Sequence, residues 1–140
     1  MLEAYCSSMQ GHIKHLESQL DQLAAIQRPL NQFESLAAER LIQVLIEACI
    51  GIAKQWVKHK GLGIAQDAKR AFVLLEQNAQ WSSKDLDWRR IIGMRNALVH
   101  DYLNIDAHVI LDVIHKRRYK ELVKFAEHGL ITLNNSNKTK

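Results

Sequence analysis

The chain has 140 residues, 47% of them hydrophobic, which is enough for one domain with a sizeable core and too short for several. A net charge of +4 is compatible with an acidic partner such as nucleic acid without requiring one. The two cysteines, Cys6 and Cys49, have no metal or redox spacing, no apolar run reaches the length of a membrane span, and the N-terminus breaks its apolar residues with polar ones, so a cytoplasmic protein without membrane segment or signal peptide is expected.

Helical periodicity dominates from the start. Leu2, Tyr5, Met9, Ile13, Leu16, Leu20 and Leu23 recur at steps of three or four, which predicts a first helix of about seven turns with one apolar stripe, ending at Arg28-Pro29. Asn31 with Glu34 three residues on is the pattern of a helix cap. The second helix then carries LIQVLIEACIGIAKQWV to about His59, closed by Gly61 and Gly63. Its apolar face is wide (Leu41, Ile42, Val44, Leu45, Ile46, Cys49, Ile50, Ile52), as at the centre of a bundle. A third helix is expected over Gln66 to Gln77. A fourth starts at Ser82 and Asp85 and carries Leu86, Trp88, Ile91, Ile92, Met94, Leu98 and Val99. Asp106 caps a last helix that runs to about His128 and ends at Gly129, leaving a polar tail over about 131–140. No strand alternation or internal repeat interrupts this series. The prediction is one all-α domain over 1–140, an antiparallel bundle of about five helices.

Polar chemistry concentrates in RNALVHDY, residues 95–102, at the end of the fourth apolar run. On a straight helix Arg95 and Tyr102 share a face, whereas His100 lies about 140° from Arg95. For Arg95, His100 and Tyr102 to line one cleft, the helix must end or distort near Val99 to Asp101. Arginine grips phosphate oxygens with two donors, histidine exchanges a proton near neutral pH, and Asn96 can hydrogen-bond a phosphate or a ribose hydroxyl. No carboxylate cluster suggests a divalent metal, and no cofactor is indicated. RNA cleavage needs neither when the ribose 2′-hydroxyl attacks the adjacent phosphate, a route closed to DNA.

Other segments carry two readings each. HKRRYK, residues 115–120, interrupts the apolar stripe of the last helix. Arg117 and Arg118 there either bind substrate phosphate, with Tyr119 nearby for stacking, or snorkel from a surface helix. Glu47 shares a polar stripe with Arg40, Gln43 and Lys54, either solvated or supporting the cleft. Asp101 either raises the pKa of His100 or caps the exit of the chain. His108 and His115, seven residues apart, read as exposed or cleft-rim residues, and Trp56, Trp81 and Trp88 as core or interface anchors.

RNALVHDY matches the R-x4-H-x-Y signature of HEPN-domain toxins, in particular the HepT type. ERLIQVLIEACIGIAKQ and GLGIAQDAKRAFVLL resemble the helices that precede the signature in those proteins, so that the likeness covers about residues 32 to 126. The resemblance implies a helical-bundle homodimer acting as a metal-independent endoribonuclease on RNA such as tRNA or mRNA, the toxin of a toxin–antitoxin pair. Arg95 and His100 would be the catalytic pair, and two motifs meeting across the dimer would supply a second histidine. The partner would be an MntA-type nucleotidyltransferase antitoxin that transfers AMP from ATP to Tyr102, adding negative charge beside Arg95 and His100. Relatives often carry an acidic residue after EACI, where this chain has Gly51. The alternative of another class is a non-catalytic subunit that holds a substrate or nucleotide for a nucleotidyltransferase.

Overall fold

The computed structural model describes residues 2–82, 86–100 and 106–138. The described residues form six helices and no strand: α1 (Leu2–Ala24), α2 (Gln32–Lys60), α3 (Ala68–Gln77), α4 (Trp88–His100), α5 (Ala107–His115) and α6 (Tyr119–Lys138). The all-α bundle is borne out, with one helix more than expected.

α2 is the central element because its apolar residues are distributed around the helix rather than along one stripe. Ile42, Leu45, Ile46, Cys49, Ile52, Ala53 and Trp56 are all buried, and the helix packs against each of the other five. Its N-terminus is a reciprocal capping box. The Asn31 side chain accepts from the Glu34 N–H at 2.8 Å, and the Glu34 carboxylate accepts from the Asn31 N–H at 2.8 Å. Arg28 forks onto the same carboxylate at 2.7 and 2.8 Å. Those hydrogen bonds, the one from Arg28 foremost, hold the Glu34 carboxyl down to about 2. At the other end Gly61 takes the left-handed conformation, φ 64°, and its N–H returns to the last turn.

α1 lies along α2 and α6 and buries Cys6, Ile13, Leu16, Leu20 and Leu23; it ends at Ala24, short of Arg28-Pro29. α3 starts later than its apolar pattern suggests, at Ala68, because the Asp67 side chain caps the N–H of Arg70 at 2.8 Å. α4 likewise starts at Trp88, with the Asp87 carboxylate accepting from the N–H groups of Arg89 and Arg90 at 3.1 and 3.4 Å. The expected start at Asp85 lies outside the described residues. Phe125 of α6 sits among Trp56, Phe72, Trp81 and Trp88, so the tryptophans do act as core anchors.

The expected last helix is two helices. The chain turns at Arg117, which adopts φ 52°. The Arg118 N–H returns to the Val113 carbonyl and the Arg117 N–H to that of Ile114, the double bond of a Schellman cap, with an arginine in the place glycine usually takes. Asp21 of α1 holds this corner. Its carboxylate accepts from the Tyr119 hydroxyl at 2.5 Å, from Arg117 at 3.0 Å and from Lys120 at 2.8 Å. Burial raises the Asp21 carboxyl, but the hydrogen bonds from Lys120 and Tyr119 and the adjacent cations outweigh it and leave the group below the ordinary carboxylate range. Burial, followed by the hydrogen bond and charge of Asp21, pushes Tyr119 up to about 12.

α6 then continues past Gly129 to Lys138, with Leu133 buried, so the polar tail expected from about 131 is largely helical. Gly129 is an interior packing position: a Cβ there would stand 2.7 Å from Ile52 and 3.1 Å from the Trp56 ring.

Candidate functional site

α4 carries the signature, and its two ends fix its position. At its start Trp88 stacks on Phe72 of α3, with ring centroids 3.6 Å apart and planes 10° from parallel. Near its end Leu98 is buried against the core. Between these anchors Arg95 faces α2, where its guanidinium donates to Glu47 at 3.0 Å. The arginine side chain retains 23% of its exposure and the glutamate 45%, so the pair sits at a water-facing seam. The Arg95 Nε is buried without a hydrogen-bond partner among the described residues, leaving the guanidinium only partly satisfied.

Asn96 and His100 are exposed on α4. The helix stays regular through His100, so no distortion arises within the described residues where one was expected. Regular helix geometry therefore separates Arg95 from His100 by about 140° around the axis. Asp101 and Tyr102 lie outside the described residues. Glu47, read from sequence as either solvated or supporting, is the residue that engages Arg95. It belongs to EACI, so the pair physically joins the two stretches that carry the resemblance.

The two arginines expected at substrate are both paired with carboxylates. Arg117 reaches Asp21 and the Tyr119 hydroxyl at 3.3 Å, as part of the α5–α6 corner. Arg118 binds Asp112 at 2.9 Å. Tyr119 is fully buried, so it offers no stacking surface.

Arg118 also stands on the rim of a cleft of about 450 Å³ between α4 and α5, floored by Ile42 and Ile46 of α2 and Leu122 of α6. His108, read from sequence as a cleft-rim residue, is on that rim, and so is Arg90, which sequence reasoning passed over. Its signal was its place one turn before Met94 on the same face of α4. Among the described residues no group of three or more His, Cys, Asp or Glu is placed to hold a metal, and no helix is long and apolar enough to cross a membrane.

An all-helical bundle with an arginine held against a neighbouring helix, and with an asparagine and a histidine exposed on the same helix, defines a HEPN-like protein. The chain belongs to the HepT-like ribonuclease family, which matches over residues 9–128. Over 76 residues it is 36% identical to the mRNA nuclease HepT of Shewanella oneidensis, covering 52% of this chain and 56% of that protein. The match thus spans about half the length of that relative. A crystal structure of a toxin–antitoxin with AMP-PNP contains a chain of the same fold. It superimposes with a TM-score of 0.71 over 86% of this chain and 96% of that one, at 23% identity. The family resemblance seen in the sequence is borne out.

Proposed function

We propose that this chain is the ribonuclease toxin of a toxin–antitoxin pair and cleaves RNA without a metal. The observation that carries the proposal is Arg95 of the signature, fixed at the α2–α4 seam by Glu47 and followed on one helix by exposed Asn96 and His100. In this reading the 2′-hydroxyl gives its proton to a histidine base and its oxygen bonds to phosphorus. The bond to the 5′-oxygen breaks, that oxygen takes a proton, and a 2′,3′-cyclic phosphate remains. Arg95 stabilises the charge on the phosphoryl oxygens, Asn96 orients the phosphate or ribose, and His100 moves the protons.

The roughly 140° between Arg95 and His100 favours a site completed by a second copy. A homodimer with two signatures facing each other brings one chain's arginine towards the other's histidine and supplies both an acid and a base. The antitoxin is a nucleotidyltransferase that joins the Tyr102 hydroxyl to the α-phosphorus of ATP and releases pyrophosphate. The added phosphodiester then competes for Arg95. Asp101 is assigned to positioning His100. Arg117 and Arg118 contact RNA only by giving up their carboxylates, so they are secondary.

The test is cleavage of mRNA and total tRNA in EDTA by wild type and His100→Ala, after intact mass has shown Tyr102 to be unmodified. Cleavage by wild type alone, leaving cyclic phosphate ends, is expected. Equal cleavage by both proteins overturns the role of His100, and silence of the unmodified wild type favours the non-catalytic subunit.

A further inference from the structure

α4 and α5 are consecutive in the chain, yet each packs mainly on α2 and neither rests extensively on the other. The wedge between them is the cleft of about 450 Å³, a size that accepts a few side chains or a small ligand. Ile91 and Met94 of α4 and Val113 of α5 form its walls above the floor of Ile42, Ile46 and Leu122. Val109 stands at the mouth and keeps 38% of its surface exposed.

Two features choose among occupants. The lining is aliphatic, with no aromatic ring on which a nucleobase would stack. The rim mixes charges: Asp87, Asp112 and Glu121 stand with Arg90 and Arg118. Asp112 is already bound by Lys116 and Arg118, both at 2.9 Å, but Asp87 and Glu121 still oppose a polyanion. An amphipathic protein helix meets both conditions. Its aliphatic row fills the wedge, and its flanks set a carboxylate against Arg90 and a cation against Asp87 or Glu121.

We infer that the α4–α5 cleft seats an aliphatic helix of the antitoxin, away from the seam that holds Arg95. This inference rests on the toxin–antitoxin reading above. Occupation of the cleft bears on Met94 and Arg90, so the partner grips the signature helix on a face different from the one presented to RNA.

The experiment measures affinity for the purified nucleotidyltransferase encoded beside this chain by calorimetry, and RNA cleavage by the uncomplexed toxin. Wild type is compared with Val109→Glu and Arg90→Glu, both surface positions, with thermal unfolding as the check on folding. Loss of at least about tenfold in antitoxin affinity for each variant, with RNA cleavage kept, is expected. Unchanged antitoxin affinity in both variants overturns the inference and leaves the nuclease reading standing. So does loss of RNA affinity in place of antitoxin affinity, which reassigns the cleft to substrate. Failure of the nucleotidyltransferase to bind even wild type overturns the toxin–antitoxin reading and the inference together.

Discussion

Replacing Gly129 by alanine tests the packing of α6 on α2, the contact that sets the centre of the bundle. A Cβ at Gly129 meets Ile52 Cγ2 at 2.7 Å and two carbons of the Trp56 ring at 3.1 and 3.4 Å. Neither neighbour has room to retreat, since both are fully buried. Overpacking of this kind costs about 1–3 kcal/mol. Alanine also improves the helix by about 1 kcal/mol over glycine. The net effect is a loss centred near 1 kcal/mol. For 140 residues the unfolding entropy at the midpoint is about 0.3 kcal/mol/K, so the melting temperature falls by roughly 3 °C. Gly11 is the control. It lies inside α1 with nothing within 4 Å of a built Cβ, so Gly11→Ala receives only the helix term and gains roughly 3 °C. Thermal unfolding by circular dichroism, with urea midpoints alongside, reads both variants. If Gly129→Ala rises as far as Gly11→Ala, the close approach of α6 to Ile52 and Trp56 is wrong.

Ala79 holds φ 54° in an exposed turn, so Ala79→Gly should stabilise the protein by about 0.5–1 kcal/mol in urea unfolding; a loss would refute the strain. Tyr119 is raised from 10.0 to about 12, so the phenol favours the folded state below pH 10 and that contribution is lost as pH rises towards 12. Tyr119→Phe should start about 1 kcal/mol less stable at neutral pH and lack this alkaline decline. Glu34 is lowered from 4.5 to about 2, so its contribution is present above pH 4.5 and lost as pH falls through 2, a slope that Glu34→Gln should flatten in acid titrations. Glu47→Gln should leave stability nearly unchanged, because the pair is water-facing, yet lower both kcat and KM of RNA cleavage: Arg95 loses its orientation and RNA loses a competing carboxylate. A fall in kcat with KM fixed would remove Glu47 from the phosphate's surroundings.

The elements most legible in the sequence were those whose signals are local. The capping box at Asn31 and Glu34 and the wide apolar face of α2 follow from residue types at fixed spacing, and both stand in the structure. The corner at Arg117 was half legible. The break in the apolar stripe marks it, but the reason an arginine takes a left-handed conformation is Asp21, 96 residues earlier in the chain. Gly129 misled for a related reason: a glycine late in a helix reads as a cap, whereas here it makes room for Ile52 and Trp56, which only the tertiary packing brings near. At the site, the stripe containing Glu47 was visible, but its engagement with Arg95 spans 48 residues and depends on how α2 and α4 pack.

The seam and the cleft divide the labour of α4 by angle. Arg95 and Met94 are successive residues, so their side chains leave the helix about 100° apart, one towards Glu47 and the other into the cleft. A ligand in the cleft therefore need not touch Arg95 to affect it. Because α4 is anchored by Trp88 at one end and Leu98 at the other, it moves as a rigid piece, and a shift against Met94 is a shift of Arg95 relative to Glu47. The effect is bounded by the ligand's preference for one position of α4 over the other. An antitoxin that grips the cleft and modifies the tyrosine beyond His100 acts on the site by geometry and by charge. The two effects separate with the Val109→Glu toxin: it escapes the first at once, and the second only as far as modification requires the grip.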